Sequence, residues 1–217
     1  TVSEGIAAGD MNHLAHMLHP FGVEETPNLD FNRKASLQQL AAEAGKDPVE
    51  VYVDRLAESE GREFFNYWMF GGTLENQWKY MQLPHVVPML GDAGAHVGFF
   101  TDTDSPTVLL SELTREQGVY SLPEAIHRIT GKSAEIIGLK ERGELREGWH
   151  ADINIIDYEN LRTCHPEYVN DFPHGGGRFI VRSQGYDATI VAGEVVVENC
   201  QHTGKRPGKV IREFVRG

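Results

Sequence analysis

Apolar positions recur at helical spacing through the middle of the chain. Leu37, Leu40, Ala41 and Ala44 follow the helical period, with Ser36 placed to cap the start and Gly45 the end. Asp47-Pro48 predicts a second helix start, with Asp as N-cap and Pro at the first helical position. Val49, Tyr52, Val53, Leu56 and Ala57 supply its apolar stripe before Gly61. Phe64–Phe70 is rich in aromatics and fits a buried strand, and Leu74–Met81 fits a helix. Val86–Leu90 is a short apolar run, expected as a strand that ends in the turn Gly91-Asp92-Ala93-Gly94-Ala95-His96. Ser105–Leu113 and Pro123–Thr130 read as helices, the second capped by Ser121. Ser133–Ile137 reads as a further short helical turn.

The period changes after Gly138. Ile153–Asp157 reads as a strand, and Thr189–Val197 is a β-hairpin pattern of two β-rich runs around Gly193-Glu194. Asp171–Arg178, with Pro173 and three consecutive glycines, is a loop. Residues 1–140 are therefore expected to be α/β in character and residues 141–217 mainly β. Near the start, His13, His16 and His19 recur every third residue, a spacing that can align three imidazoles on one helical face. The zinc-binding helical pair needs histidines four apart with a Glu between, which is absent here.

The chain has 217 residues with 20 Lys and Arg against 32 Asp and Glu, a net charge of −12. That balance argues against nucleic acid or an anionic membrane surface as the main partner, since both attract basic patches. No run of about 18 apolar residues predicts a membrane span. Two cysteines, Cys164 and Cys200, build neither a disulfide framework nor a CxxC zinc pattern. A reducing, cytoplasmic setting is the expectation.

Asp92 is the leading candidate for chemistry. A carboxylate where a buried strand runs into a glycine-rich turn sits where barrel enzymes hold their catalytic groups. It can accept a proton from an attacking water, or bind a metal directly. The alternative is a helix-capping Asp. His96, four residues on, is a candidate substrate-binding group, or a loop histidine bonded to backbone. Asp102 and Asp104 are best explained as caps of the following helix.

Five segments carry a resemblance to a known family: LAAEAGKDPVEV at 40–51, GDAGAHVGFFTDTDSPTVLL at 91–110, GLKERGELREGWHADINIIDY at 138–158, FPHGGGRFIVRSQGYDATIVAGEVV at 172–196 and TGKRPGKVIR at 203–212. Together they resemble the N-acyl-D-amino-acid deacylase (D-aminoacylase) branch of the amidohydrolase superfamily. The resemblance implies a metal-dependent (β/α)8 barrel followed by a small β domain. It implies hydrolysis of a linear amide, with one or two zinc ions as cofactor and an N-acyl amino acid as substrate. The family's strand-eight aspartate, which acts on the attacking water, maps onto Asp92, and His96 lies in the same loop. The family's metal-binding His-x-His has no counterpart in this sequence. A complete barrel takes about 250 residues. The chain is therefore expected to be the C-terminal portion of such an enzyme, with residues 1–140 a partial barrel and residues 141–217 the β domain. The metal ligands other than Asp92 would lie in a missing N-terminal half, which leaves catalysis by the chain alone in question.

Two other readings compete. A non-catalytic remnant or interaction module would oligomerise through unpaired strand edges, covering the Val86–Leu90 or Phe64–Phe70 strand. A cyclic-amide hydrolase, dihydroorotase-like or hydantoinase-like, shares the barrel and the strand-eight aspartate, but fits the segments at 172–196 and 203–212 less well.

Overall fold

The structure, a computed structural model, describes residues 14–23, 35–67, 74–88, 91, 94–95, 97–98 and 102–214. It divides into two compact units, Thr1–Lys79 and Tyr80–Gly217.

In the first unit, strand β1 (Leu18–Gly22) pairs antiparallel with β2 (Phe64–Tyr67). Helices α1 (Leu37–Ala44) and α2 (Pro48–Glu58) lie between them in sequence. Local chemistry sets both helix starts. The Ser36 hydroxyl accepts from the Gln39 amide while the Gln39 side chain accepts from the Ser36 amide, a reciprocal capping box. The Asp47 carboxylate accepts from the Val49 amide at 2.9 Å, and Pro48 fills the first helical position. Gly45 ends α1 in the left-handed conformation, with φ 65°. The core is Ala15, Leu37, Ala41 and Val51, with Leu18, Leu40, Tyr52 and Phe65 packed against it. Below it, Arg55 pairs with the buried Glu63 at 2.5 Å.

Two expectations change here. His16 sits exposed in a turn and His19 is buried on β1, so the two do not share a helical face; His13 lies outside the described residues. The aromatic strand covers Phe64–Tyr67 and is half-buried, with Tyr67 exposed at its end. Residues 68–70 lie outside the described residues.

Helix α3 (Leu74–Met81) leads into the second unit. There a short 3-10 turn (Asp102–Asp104) opens α4 (Ser105–Val108), which widens into a π-helical stretch over Leu109–Glu116. The widening is tied to side chains that bond back to the backbone: Ser111 donates to the Thr107 carbonyl and Thr114 to the Leu109 carbonyl, both at 2.8 Å. Helices α5 (Leu122–Ile129) and α6 (Gly131–Ile137) follow, α5 capped by Ser121 as expected. The remaining strands are β3 (Ile153–Ile156), β4 (Arg162–Thr163), β5 (Glu167–Val169), β6 (Arg178–Ile180), β7 (Ser183–Gln184), β8 (Tyr186–Val191), β9 (Glu194–Glu198) and β10 (Gln201–His202). Four of them form an antiparallel sheet in the order β10-β9-β8-β3, while β4 pairs with β7 and β5 with β6. The β8–β9 hairpin turns on Ala192 and Gly193, both at positive φ, the geometry that matches strand twist.

The core of this unit joins helices to β segments. Leu109, Leu110, Tyr120 and Ala125 pack with Leu161, and Ile156, Tyr158 and Tyr186 close around them. The step from helix to strand near residue 140 is thus a change of element type within one packed unit. Val86–Pro88 forms no strand; the Val86 amide instead closes a turn onto the Leu83 carbonyl at 3.1 Å. Met89 and Leu90 lie outside the described residues. Every described strand pair is antiparallel, so a parallel barrel ladder is not seen among the described residues.

Candidate functional site

In sequence, Gly91–His96 follows α3. Asp92 and His96 themselves lie outside the described residues, and the site is built from what surrounds them. Gly94 holds φ 85°, a left-handed conformation that glycine adopts without strain. Pro88 and Gly91 line a cavity of about 250 Å³ with Ser105 and Pro106 of α4, Ile129 of α5 and Ser133 of α6. Pro88 and Gly91 thus both face these helices.

Arg128 of α5 organises the approach. Its guanidinium donates to the carbonyls of Met81 (2.8 Å), Gln82 (3.2 Å), Leu83 (3.2 Å) and Val86 (2.7 Å). It is also paired with the Glu124 carboxylate at 2.9 Å and lies 4.9 Å from the centre of the Tyr120 ring. The Tyr120 hydroxyl donates to the same Met81 carbonyl at 2.7 Å. Burial pushes the Tyr120 phenol up from its ordinary value, against the pull of Arg128, so it stays a hydroxyl donor. Arg128 is only 8% exposed. A buried charge is tolerable when every donor is satisfied, and here a planar fork meets four carbonyls and a carboxylate. Beyond Gly91–His96 in sequence, the Phe179 amide of β6 donates to the Val97 carbonyl at 2.8 Å.

Asp104 does not cap α4 with its side chain. Its carboxylate accepts from the buried Thr163 hydroxyl, and burial raises its pKa above the ordinary carboxylate value. Beside it, Thr107 meets Ser183 at 2.9 Å and Tyr186 at 3.0 Å. Asp104 and Thr107 therefore tie α4 to the strands, a structural role instead of the capping role the sequence suggested.

A larger cavity, about 550 Å³, lies between α5 and β3, with an apolar floor of Ile126, Ile129, Ile153 and Ile156 and with His127 and His150 on its wall. Pro88 and Gly91 line the smaller cavity only. Cys164 is half-buried and Cys200 exposed. Among the described residues no three His, Cys, Asp or Glu side chains are grouped to hold a metal ion. No described helix is long and apolar enough to cross a membrane.

Arg128 escaped the sequence reading. Its signal was the Glu124–Arg128 spacing of four, which predicts an ion pair on a helix. Nothing local shows that the pair turns inward.

The described residues combine helices with antiparallel strand pairs. The model of the amidohydrolase family matches residues 33–197, and the chain belongs to that family. Over 105 residues it is 38% identical to an N-acyl-D-aspartate deacylase of Alcaligenes xylosoxydans xylosoxydans, covering 48% of this chain and 19% of that protein. A dihydroorotase of Endomicrobium trichonymphae is 36% identical over 94 residues, 42% of this chain and 21% of that protein. The chain thus spans about a fifth of the length of the curated relatives it matches. Among solved structures, a D-aminoacylase mutant in complex with copper chloride aligns with a TM-score of 0.50 at 22% identity, over 94% of this chain and 39% of that one. An N-acyl-D-glutamate deacylase from Bordetella bronchiseptica, complexed with zinc and a phosphonate inhibitor, aligns with the same score, identity and coverage. These two likenesses show the fold. The resemblance to the N-acyl-D-amino-acid deacylase branch holds.

Proposed function

We propose that the chain is the C-terminal portion of an amidohydrolase that cleaves linear amides of N-acyl-D-amino acids. In this reading it contributes the last part of a (β/α)8 barrel and the small β domain that follows. The observation that carries the proposal is the family match across residues 33–197, together with the 38% identity to an N-acyl-D-aspartate deacylase. The dihydroorotase likeness covers fewer residues at lower identity, which favours the linear amide.

In this proposal Asp92 is the proton carrier. Hydrolysis adds water to the amide carbonyl, breaks the C–N bond and leaves a proton on the departing nitrogen. A carboxylate at the mouth of a barrel can take that proton from the attacking water and deliver it to nitrogen. His96, four residues on, is the substrate-binding group of the proposal. A catalytic zinc needs about three protein ligands. No three such side chains are grouped among the described residues; in this proposal further chain supplies the ligands besides Asp92. A cytoplasmic small-molecule enzyme, completed by a further N-terminal half or by self-association, belongs to the same proposal.

The test is a zinc-supplemented assay of the purified chain on several N-acyl-D-amino acids, beside the gene sequence upstream of Thr1. An open frame continuing into a strand followed by His-x-His, with no turnover by the 217 residues alone, is the expected result. Turnover that vanishes in Asp92→Asn would keep the hydrolase reading and overturn the incomplete-enzyme part. An in-frame stop just upstream, with no turnover, would overturn the enzyme reading.

A further inference from the structure

The second unit commits an almost fully buried arginine to one stretch of backbone. Main-chain carbonyls are usually satisfied by main-chain amides or water. Here Met81, Gln82, Leu83 and Val86 all direct carbonyls at one guanidinium. A planar fork with five N–H groups is the side chain able to serve so many acceptors at once; a lysine has three donors on a single nitrogen. The guanidinium is in turn held by Glu124 through both Nε and Nη2, at 3.1 and 2.9 Å, and lies against the Tyr120 ring. Gln82 adds a tie to the Val119 carbonyl at 3.0 Å. Four residues separate Val86 from Gly91, which precedes Asp92 in sequence. Past Asp92, Val97 is tied to β6 through the Phe179 amide.

We infer that Arg128 is a positioning residue: it fixes the backbone of residues 81–86, which precede Asp92 in sequence, while the Phe179–Val97 bond fixes the backbone that follows it. The functional part of this inference rests on the reading of Asp92 given above. Arg128 touches no reacting atom. It acts by removing freedom from the segment before Asp92, and a misplacement of about 1 Å in a reacting group can cost on the order of a hundredfold in rate.

Amide hydrogen exchange on the 217-residue chain reads the first part directly. In Arg128→Met, exchange at the Leu83 and Val86 amides is expected to rise about tenfold or more. The β8 and β9 hairpin amides are expected to stay within about twofold of wild type. Arg128→Lys keeps the charge and loses the fork, so it is expected to leave exchange at Leu83 and Val86 raised. Glu124→Ala, at an exposed helix position, guards against a variant that does not fold; it is expected to raise the same amides about threefold. Unchanged Leu83 and Val86 amides in these variants, full rescue by Lys, or an equal rise across the whole unit would overturn the inference. In a complete enzyme carrying this chain, Arg128→Lys is expected to lower kcat about tenfold with KM within about twofold. An equal change in both would overturn the positioning role. Loss of the deacylase reading leaves the exchange rates as they are, so the two failures are separable.

Discussion

The helical block over residues 105–137 and the four-stranded sheet of β3, β8, β9 and β10 hold their shape by different means. In the block, Leu109, Leu110, Ala125 and Ala134 are buried, and even the polar Thr107, Ser111, Thr114 and Arg128 are enclosed with partners. In the sheet no residue of the four strands is buried, and Ile155 is 49% exposed. The block therefore depends on removing apolar surface from water. The sheet depends on ladder hydrogen bonds, a tight turn and cross-strand neighbours such as Ile153 against Ile190. Between β8 and β9 the short hairpin connection brings the strands together at low entropic cost.

The largest effect expected from this contrast is at Leu161, which is fully enclosed between the block and the strands. Leu161→Ala should cost about 2–5 kcal/mol, read from the denaturant midpoint. A loss below about 1 kcal/mol would show that the block and the strands are not one cooperative core.

Gly185 comes next. It has φ 93°, and a Cβ there would stand 2.7 Å from the Leu161 Cα and 3.0 Å from the Asp157 carbonyl. Both neighbours are backbone and cannot swing away. Gly185→Ala should destabilise the second unit by about 1–3 kcal/mol, whereas an alanine at Gly193, which meets nothing within 4 Å, should cost less. Equal costs at the two glycines would break the distinction between packed and open regions.

Asp104 gives a pH signature. Its pKa is raised by burial in the folded state above the ordinary 3.8. Its contribution is therefore fully present below that value and is lost as pH rises through the folded pKa. Asp104→Asn keeps an oxygen to accept from Thr163 and mimics the protonated form. Thermal midpoints measured from pH 4 to 8 should show a variant at least as stable as wild type at neutral pH, with a flatter pH dependence. A variant destabilised at neutral pH but not at pH 4 would show that the charge itself holds α4 to the strands.

The smallest effect belongs to the sheet. Ile155→Ala should change stability by no more than about 1 kcal/mol, because half the side chain already meets water. A core-like loss would mean that this face is covered in solution, by self-association or by further chain. Light scattering on the same sample would distinguish the two.

Features that depend on neighbours in sequence were legible from the chain alone. The Ser36 and Asp47 caps, the Gly45 stop, the α5 start at Ser121 and the hairpin around Gly193 each rest on hydrogen bonds or dihedral preferences spanning a few residues. The family, and Asp92 as the carboxylate to examine, also came from linear motifs. Tertiary structure decided what no local pattern encodes. His16 and His19 part company because β1 pairs with β2 and carries His19 inward. Val86–Pro88 leaves the strand pattern because its backbone is satisfied by a turn and by Arg128. Arg128 and Asp104 each match a surface helix pattern in sequence, an ion pair and a cap. Both are enclosed in the fold because partners more than forty residues away, Met81 and Thr163, complete their hydrogen bonds. A buried polar group is stable only where distant chain supplies its partners, and that supply is a property of packing.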